Sequence, residues 1–173
     1  MYEIKSVMKQ GIFVVTKETF LGANVPTIQQ VLATFDNLEL LERWHTEFLK
    51  VLQQDHDIPA LRSHLLQALE KKTIHMCIDD GEYVATIGVV NLGENGIRTN
   101  RAYIAPNSRS KSYGARVLNT VCKNAFSSNR KYALAIIKDD NNRARVIHEK
   151  LGYKLKGYWD LVSVNELQNK SKL

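Results

Sequence analysis

The segment from Arg98 to Ile137 most strongly constrains the fold of this chain. A strand-like run at 98–104 is followed by a short loop of small and basic residues, an amphipathic helix at 113–126 and an apolar strand at 132–137. Two strands that are joined through a helix run parallel in one sheet. Strand 132–137 is apolar on both faces, which is typical of a central strand covered by helices. The sequence therefore predicts an α/β fold.

The flanking sequence predicts antiparallel strands and further helices. Turn residues at 79–81 and 93–96 favour hairpins between strand-like runs. From 27 to 71 the apolar residues recur at helical spacing, with a break at Pro59, because the residue before a proline resists helix. The predicted elements are strands within 2–20 (strongest at 11–16), helices within 27–71, strands at 73–79, 82–91, 98–104, 132–137 and 157–165, helices at 113–126 and 141–151, and a tail at 167–173.

The order β-β-β-α-β-α-β after a helical region specifies the fold class. It predicts an α/β protein with a mixed, mostly antiparallel sheet and flanking helices. A length of 173 residues with 44% hydrophobic residues suits one domain with a full core. We assign 1–173 to a single domain, in which 1–72 is an N-terminal strand and helical region, 73–165 is the core and 166–173 is a tail.

Cysteine usage and hydropathy favour a reduced, cytoplasmic setting. Cys77 and Cys122 are too few for a disulfide framework, and both lie in apolar runs without metal-ligand spacing. No apolar run approaches the roughly 18 to 20 residues of a membrane span. Lys5 and Lys9 are not followed by an apolar region and a cleavage site, so we expect no signal peptide. We therefore expect a cytoplasmic location, no membrane partner and no metal.

The net charge of +6 is concentrated in one segment of the chain. Residues 98–150 hold twelve Lys and Arg against three Asp and Glu, whereas the rest of the chain holds twelve against fifteen. A compact basic surface attracts a phosphorylated ligand. The sequence has neither an Arg-rich tract nor a strand with interleaved aromatic residues, so we expect no nucleic-acid partner.

The loop at 109–115, with the sequence RSKSYGA, lies between the predicted strand and helix. The first N–H groups of a helix lack internal partners, and the helix dipole places positive charge there. Gly114 and Ala115 lack bulk, so a phosphate can approach the main chain. Arg109 and Lys111 add formal charge. The loop is therefore a candidate phosphate-binding turn.

The loop at 109–115 and the later segment at 141–153, with the sequence NNRARVIHEKLGY, are the two informative motifs of this chain. Together they resemble the GNAT (GCN5-related N-acetyltransferase) superfamily. Its acyl-CoA loop follows the pattern Arg/Gln-x-x-Gly-x-Gly/Ala, which here is Arg109, Ser112 and Gly114, with serine in place of the first glycine. A later family pattern is Asn-x-x-Ala-x-x-Leu-Tyr-x-x-x-Gly-Phe. Its positions are occupied here by Asn141, Ala144, Ile147, His148, Gly152 and Tyr153. The resemblance covers residues 74 to 165.

The resemblance implies an N-acetyltransferase that takes acetyl-CoA as its acyl donor. It implies that strands 98–104 and 132–137 splay apart and hold the pantetheine arm between them. Homodimers are common in the superfamily, so a homodimer is possible here. Lys111 and Tyr113 are expected to contribute backbone groups, with solvated side chains. The residues implied to bind acyl-CoA are main-chain groups of Ala102, Tyr103 and Ile104, the loop residues Arg109, Ser110, Lys111, Ser112, Tyr113, Gly114 and Ala115, and Asn141.

Acyl transfer to an amine needs a neutral amine, a stabilised oxyanion and a proton for the departing thiolate. His148 occupies the position at which the family often carries a tyrosine that donates to the CoA sulfur. Neutral imidazole can also donate through its N–H. The alternative is that His148 only packs on a helix face; Asn141 likewise has the alternative role of a helix N-cap. Without an evident Ser/His/Asp or Cys/His set, we expect direct transfer.

Other titratable residues are weaker candidates. The spacing of His45, His56 and His64 in helical sequence does not form a metal site. His75 alternates on a strand with Thr73 and Cys77, which makes it a weaker candidate for a side chain that faces the cleft. Several carboxylates are available as a general base, and no feature selects among them: Asp79, Asp80, Glu82 and Glu94.

The acceptor is not specified by the sequence. The helical region before residue 72 corresponds to the part that varies most in the superfamily and usually covers the acceptor site. A small amine, an amino acid and a protein amine all remain open. The alternative function is a non-catalytic acyl-CoA-binding sensor or regulatory module of the same fold.

Overall fold

The computed structural model describes residues 2–51, 58–109 and 111–166. Within these ranges, none of the helices has the length and hydropathy to cross a membrane. The strands are β1 (Tyr2–Thr16), β2 (Gln29–Leu32), β3 (Ile74–Asp79), β4 (Glu82–Leu92), β5 (Gly96–Ile104), β6 (Tyr132–Lys138) and β7 (Lys154–Glu166). The α-helices are α1 (Leu38–Val51), α2 (Ile58–Glu70), α3 (Tyr113–Ser127) and α4 (Asn142–Lys150). Short 3-10 turns lie at Gly22–Asn24, Phe35–Asn37 and Pro106–Ser108.

The strands form one seven-stranded sheet in the order β2-β3-β4-β5-β6-β1-β7. Every neighbouring pair is antiparallel except β5 and β6, which are parallel. The predicted fold class is therefore confirmed, including the parallel pair joined through a helix. The N-terminal strand β1 is not at an edge, because it lies between β6 and β7.

The parallel pair is short. β5 and β6 pair only from Gly96 with Tyr132 to Thr99 with Ala135. Just beyond, a bulge in β5 places Arg101 at a φ of +46°, between the pairs Gly88–Asn100 and Thr86–Tyr103. A bulge bends its strand and increases the local twist. The bend lies just beyond the last β5–β6 pair, where the two strands diverge. The resemblance to the family predicted this divergence.

Two hydrophobic cores lie on opposite faces of the sheet. The larger core joins α3 and the β7 start to inward-facing residues such as Phe13, Cys77 and Ala135. The smaller core joins α1 and α2 to Ile74 and Met76 of β3 and to Tyr103 of β5. Both free cysteines, Cys77 and Cys122, are buried.

Some predicted boundaries are wrong. Residues 29–32 were expected to be helical, but they form β2, which pairs with β3 from Gln29–Ile78 to Leu32–His75. Helix α1 consequently begins only at Leu38. Local helix propensity is a weak preference, and the hydrogen bonds of the sheet outweigh it here. Strand β7 begins at residue 154 rather than 157. His56 and the tail at 167–173 lie outside the described residues.

Candidate active site

The divergence of β5 and β6 leaves one edge of β5 without a strand partner. β4 pairs with the opposite edge as far as Ile104. The predicted residues Ala102, Tyr103 and Ile104 all lie on this unpaired stretch. The carbonyl of Ile104 accepts a hydrogen bond from Nε of Arg109 at 3.4 Å. Apart from this carbonyl, the main-chain groups of β5 that face the gap have no strand partner and are available to a ligand.

The N-terminus of α3 begins close to this gap and is open to an anion. Ser112 is the N-cap residue with a left-handed φ of +58°, and its side chain makes no capping hydrogen bond. The first turn contains no acidic residue. Lys111 and Ser112 are exposed, and Gly114 and Ala115 are half-buried. Uncapped N–H groups and the helix dipole attract negative charge at such a terminus.

Arg109 lies between the loop and β5. Its guanidinium hydrogen-bonds to the hydroxyl of Tyr103 at 3.4 Å and lies 5.6 Å from the centre of that ring. Arg109 is nevertheless exposed, so the charge remains accessible to a ligand. The neighbouring Ser110 lies outside the described residues.

The absence of a side chain at Gly114 matters for helix packing as well as for the predicted approach of a phosphate. A Cβ atom at this position would lie 3.0 Å from Cδ1 of Ile147 in α4. The glycine therefore allows α3 and α4 to approach each other. The small size of Gly114 was predicted to admit a phosphate, but its contact with Ile147 was not predicted.

Tyr113 corrects one expectation about the loop. Its side chain was expected to be solvated, but only 6% of it is exposed. The hydroxyl donates a hydrogen bond to Oδ2 of Asp79, at the end of β3. Arg116 pairs with the same carboxylate at 3.2 Å and donates to the carbonyl of Thr27, also at 3.2 Å. These contacts tie the first turn of α3 to β3.

The same contacts remove Asp79 from the possible general bases. The hydrogen bond from Tyr113, followed by that from Arg116, lowers the pKa of the Asp79 carboxyl. A carboxylate held in its charged form in this way is a weak proton acceptor. The other carboxylates named from the sequence lie in or beside the β3–β4 and β4–β5 turns: Asp80, Glu82 and Glu94.

Asn141 caps α4, as the alternative interpretation of the sequence predicted. Its side-chain oxygen accepts a hydrogen bond from the N–H of Ala144 at 3.1 Å. The amide nitrogen of the side chain remains available to a ligand, so capping does not exclude cofactor contact.

His148 lies one turn beyond Ala144 on α4 and is half-buried. Its Nδ1 lies 2.8 Å from the carbonyl of Ala144, and its ring packs edge-to-face on Tyr153 at 4.9 Å. A carbonyl only accepts hydrogen bonds, so Nδ1 carries the ring hydrogen and Nε2 carries the lone pair. Burial lowers the pKa of His148. The neutral ring in this geometry has no second N–H to offer a thiolate.

A small cavity lies on the other face of the sheet, beside α1 and α2. Its volume is about 80 Å³. His45 lines it, is 5% exposed, and directs Nδ1 to the carbonyl of Leu41 at 2.9 Å. Burial lowers the pKa of His45, and the charge of Arg101 lowers it further. The other lining residues are Ala68, Thr73, Ile74, Gly88, Val90, Asn100 and Arg101.

The remaining histidines do not gather into a site. His64 is exposed on α2, and His75 is half-buried on β3, two residues from Cys77. Nowhere in 2–51, 58–109 and 111–166 do three or more His, Cys, Asp or Glu residues gather into a group that could hold a metal ion.

Two parts of the site were not predicted from the sequence. The positive φ of Arg101 has no sequence signal, because glycine or asparagine is the usual residue there. The burial of Tyr113 did have a sequence signal, because Tyr113, Val117 and Val121 recur every four residues on α3.

Comparison with known proteins identifies the family of this chain. The model of the acetyltransferase (GNAT) family matches residues 37–153. The chain therefore belongs to the GNAT acetyltransferase family. No curated protein matches the sequence significantly.

Solved structures share the fold at low sequence identity. A GNAT-family acetyltransferase from Colwellia psychrerythraea has a TM-score of 0.71 at 12% identity, over 91% of this chain and 55% of that one. A putative GNAT-family acetyltransferase from Novosphingobium aromaticivorans has a TM-score of 0.66 at 12% identity, over 96% and 68%. A GCN5-related N-acetyltransferase from Kribbella flavida has a TM-score of 0.60 at 16% identity, over 94% and 59%. The first and third of these proteins are therefore much longer than this chain.

Proposed function

We propose that this chain is an N-acetyltransferase that moves the acetyl group of acetyl-CoA directly to a primary amine. One observation carries the proposal: β5 and β6 part after Thr99, close to the uncapped N-terminus of α3. The parted strands offer unpaired main-chain groups to an extended arm. The helix terminus offers N–H groups and positive charge to phosphates.

The residues around this gap fit acyl-CoA. No acidic residue in the first turn of α3 opposes a phosphate, and Arg109 and Lys111 are exposed beside it. In the proposal the loop from Arg109 to Ala115 binds the phosphates. Main-chain groups of Ala102, Tyr103 and Ile104 bind the pantetheine arm, and the free amide of Asn141 contributes a hydrogen bond.

The proposed reaction needs no covalent bond to the enzyme. Acetyl-CoA supplies an activated thioester carbonyl; the amine nitrogen adds to this carbonyl to form the new C–N bond and a tetrahedral oxyanion, and the C–S bond breaks as the oxyanion collapses. The nitrogen loses one proton and the sulfur gains one. Holding the two reactants together can supply much of the rate. We assign the proton transfer to His148: Nε2 takes up the proton from the attacking nitrogen and returns it to the sulfur.

The non-catalytic acyl-CoA-binding module remains the second candidate. The observation that favours it is the single N–H of neutral His148, which is bonded to the carbonyl of Ala144. A ring in this state cannot act as the simple donor that the family pattern implies. Ser112 in place of the first glycine of the loop is a further departure.

Two measurements test the proposal. Millimolar acetyl-CoA should raise the melting temperature, because a ligand that binds only the native state stabilises it by RT ln(1 + [L]/Kd). Thiol release with a panel of primary amines should exceed release without amine. Absence of the melting shift would contradict the acyl-CoA site. A shift without thiol release for any amine would favour the non-catalytic module.

Two expectations accompany the proposal. The cytoplasmic location stays a prediction that rests on the two free, buried cysteines. A homodimer also stays a prediction, which sedimentation of the purified protein tests.

A further inference from the structure

The face of the sheet that carries α1 and α2 is only partly covered by them. Along β6, Ala133, Ala135 and Ile137 are buried in the larger core, whereas the residues between them are half-buried. The same alternation continues on β1, where Phe13 and Val15 are buried. The half-buried residues therefore form an open face next to α1 and α2.

One row of residues crosses four strands on this open face. Val90 pairs with Arg98, Arg98 with Leu134, and Leu134 with Val14. Residues that are paired across strands place their side chains on the same face. We call these four residues the cross-strand row. Its only charged member is Arg98.

Arg98 is half-buried, and its charge has no partner among the residues that the structure describes. Nε is fully shielded from solvent without a hydrogen bond. Within 2–51, 58–109 and 111–166, the guanidinium makes neither a hydrogen bond nor an ion pair. Burying part of a charge among apolar side chains is unfavourable unless a counter-charge accompanies it. An unpaired arginine in an apolar row thus marks a place for an anion.

The row lies next to the gap that is assigned to acyl-CoA. β5 loses its β6 partner directly after Thr99, one residue beyond Arg98. The row also shares Val90 with the cavity lined by His45, Asn100 and Arg101. An acceptor that lies on the row would meet one cation, apolar neighbours and the end of the gap.

We propose that the acceptor amine carries a carboxylate, which pairs with Arg98, and an apolar group, which lies on Val14, Leu134 and Val90. This inference rests on the proposed acyl transfer. The planar guanidinium binds a carboxylate through two parallel hydrogen bonds. Arg98 is therefore a specificity-determining residue, and an apolar amino acid is the simplest acceptor that satisfies the row.

Matched amines test the inference. Leucine and 3-methylbutylamine differ by the carboxylate, as do phenylalanine and 2-phenylethylamine. The wild type should show a kcat/KM roughly 10- to 100-fold higher for the carboxylate member of each pair, as expected for hydrogen bonds to a charged group. In Arg98→Met this preference should fall to about threefold or less, with activity on the plain amines retained.

Two further variants control this experiment. Arg43→Met removes one positive charge from an exposed position on α1, and it should keep the full preference. Arg98→Lys keeps the charge but loses the paired hydrogen bonds, so its preference should be intermediate. Equal kcat/KM for both members of each pair in the wild type would overturn the inference. A preference that survives in Arg98→Met would overturn it as well.

A binding measurement separates this inference from the proposed function. With CoA present, leucine should raise the melting temperature of the wild type in a concentration-dependent way, and it should have little effect on Arg98→Met. If no amine is acetylated but leucine binds through Arg98, the acyl transfer is wrong and the anion site stands. If amines are acetylated but the carboxylate affects neither rate nor binding, the anion site is wrong and the acyl transfer stands.

Discussion

At the scale of single residues, His148 illustrates how one backbone contact limits the chemistry of a side chain. The hydrogen on Nδ1 is bonded to Ala144, and burial lowers the pKa of the ring. The neutral ring therefore accepts a proton at Nε2. Replacing His148 by Phe should lower kcat by roughly ten- to a thousand-fold, in the range of general acid–base catalysis. KM for acetyl-CoA should change little. Steady-state kinetics where chemistry limits the rate measures both.

The pH profile tests the assigned role of His148 more directly. Protonation removes the lone pair at Nε2, so wild-type kcat should fall as the pH is lowered through a pKa below the usual value of about 6.5. His148→Phe should lack this inflection. His148→Tyr should recover part of the activity, because its hydroxyl donates to sulfur, but it should lack the inflection too. His64→Phe, at an exposed position, serves as the control. Unaltered turnover in His148→Phe would leave the residue with a packing role.

Individual residue roles were predictable where their cause is local. The run of Asp and Asn at 139–142 predicted a helix cap, and Asn141 provides it. Gly114 was predicted to be small for a ligand, but its contact partner, Ile147, is distant in sequence. The unpaired state of Arg98 was not predictable at all, because it depends on which residues three other strands place around it.

At the scale of elements, the link between α3 and β3 makes a prediction about Tyr113. Replacing Tyr113 by Phe removes the hydroxyl that donates to Asp79 while Arg116 still pairs with that carboxylate. The first turn of α3 should be held less firmly, so we expect a modest decrease in melting temperature and several-fold weaker CoA binding. Calorimetric titration with CoA and thermal unfolding measure these effects.

A matched variant isolates the role of this link. Tyr158 is 47% exposed on β7, the edge strand at the other end of the sheet from β3, so Tyr158→Phe removes a hydroxyl away from the loop and should change neither quantity. If Tyr113→Phe binds CoA as tightly as the wild type, the link contributes to packing alone and does not position the loop.

The elements that were predicted correctly are those whose signal is contained in their own sequence. The change from helical to strand-like spacing of apolar residues at 73, together with the turn at 79–81, located β3 and β4. The apolar run at 132–137 located β6. β2 was missed, because four residues become a strand only through pairing with β3, more than 40 residues away. The insertion of β1 between β6 and β7 was likewise not visible, since sheet order is decided by contacts between distant segments.

At the scale of the whole molecule, three histidines on separate elements couple folding to pH. His45 on α1, His75 on β3 and His148 on α4 each have a pKa lowered chiefly by burial. The unfolded chain therefore binds more protons than the folded one below the unfolded value of about 6.5. The neutral rings favour the folded state fully above a pH of about 6.5, and this contribution to the free energy of unfolding is lost as the pH falls toward the folded pKa values. Each extra proton changes the unfolding free energy by about 1.4 kcal/mol per pH unit.

Urea denaturation at pH 7.5, 6.5 and 5.5 measures this coupling. We expect the free energy of unfolding to change little between the first two values and to decrease clearly between the last two. The lowered pKa values of Asp79 and Glu18 act at more acidic pH, because carboxylates titrate near 4, so they do not obscure the effect. Replacing both His45 and His148 by Gln should reduce the decrease to the contribution of His75, whereas His64→Gln, at an exposed position, should leave it intact. Equal stability of the wild type at pH 7.5 and 5.5 would show that the three rings take up protons without unfolding, and that the two cores admit more water than their burial indicates.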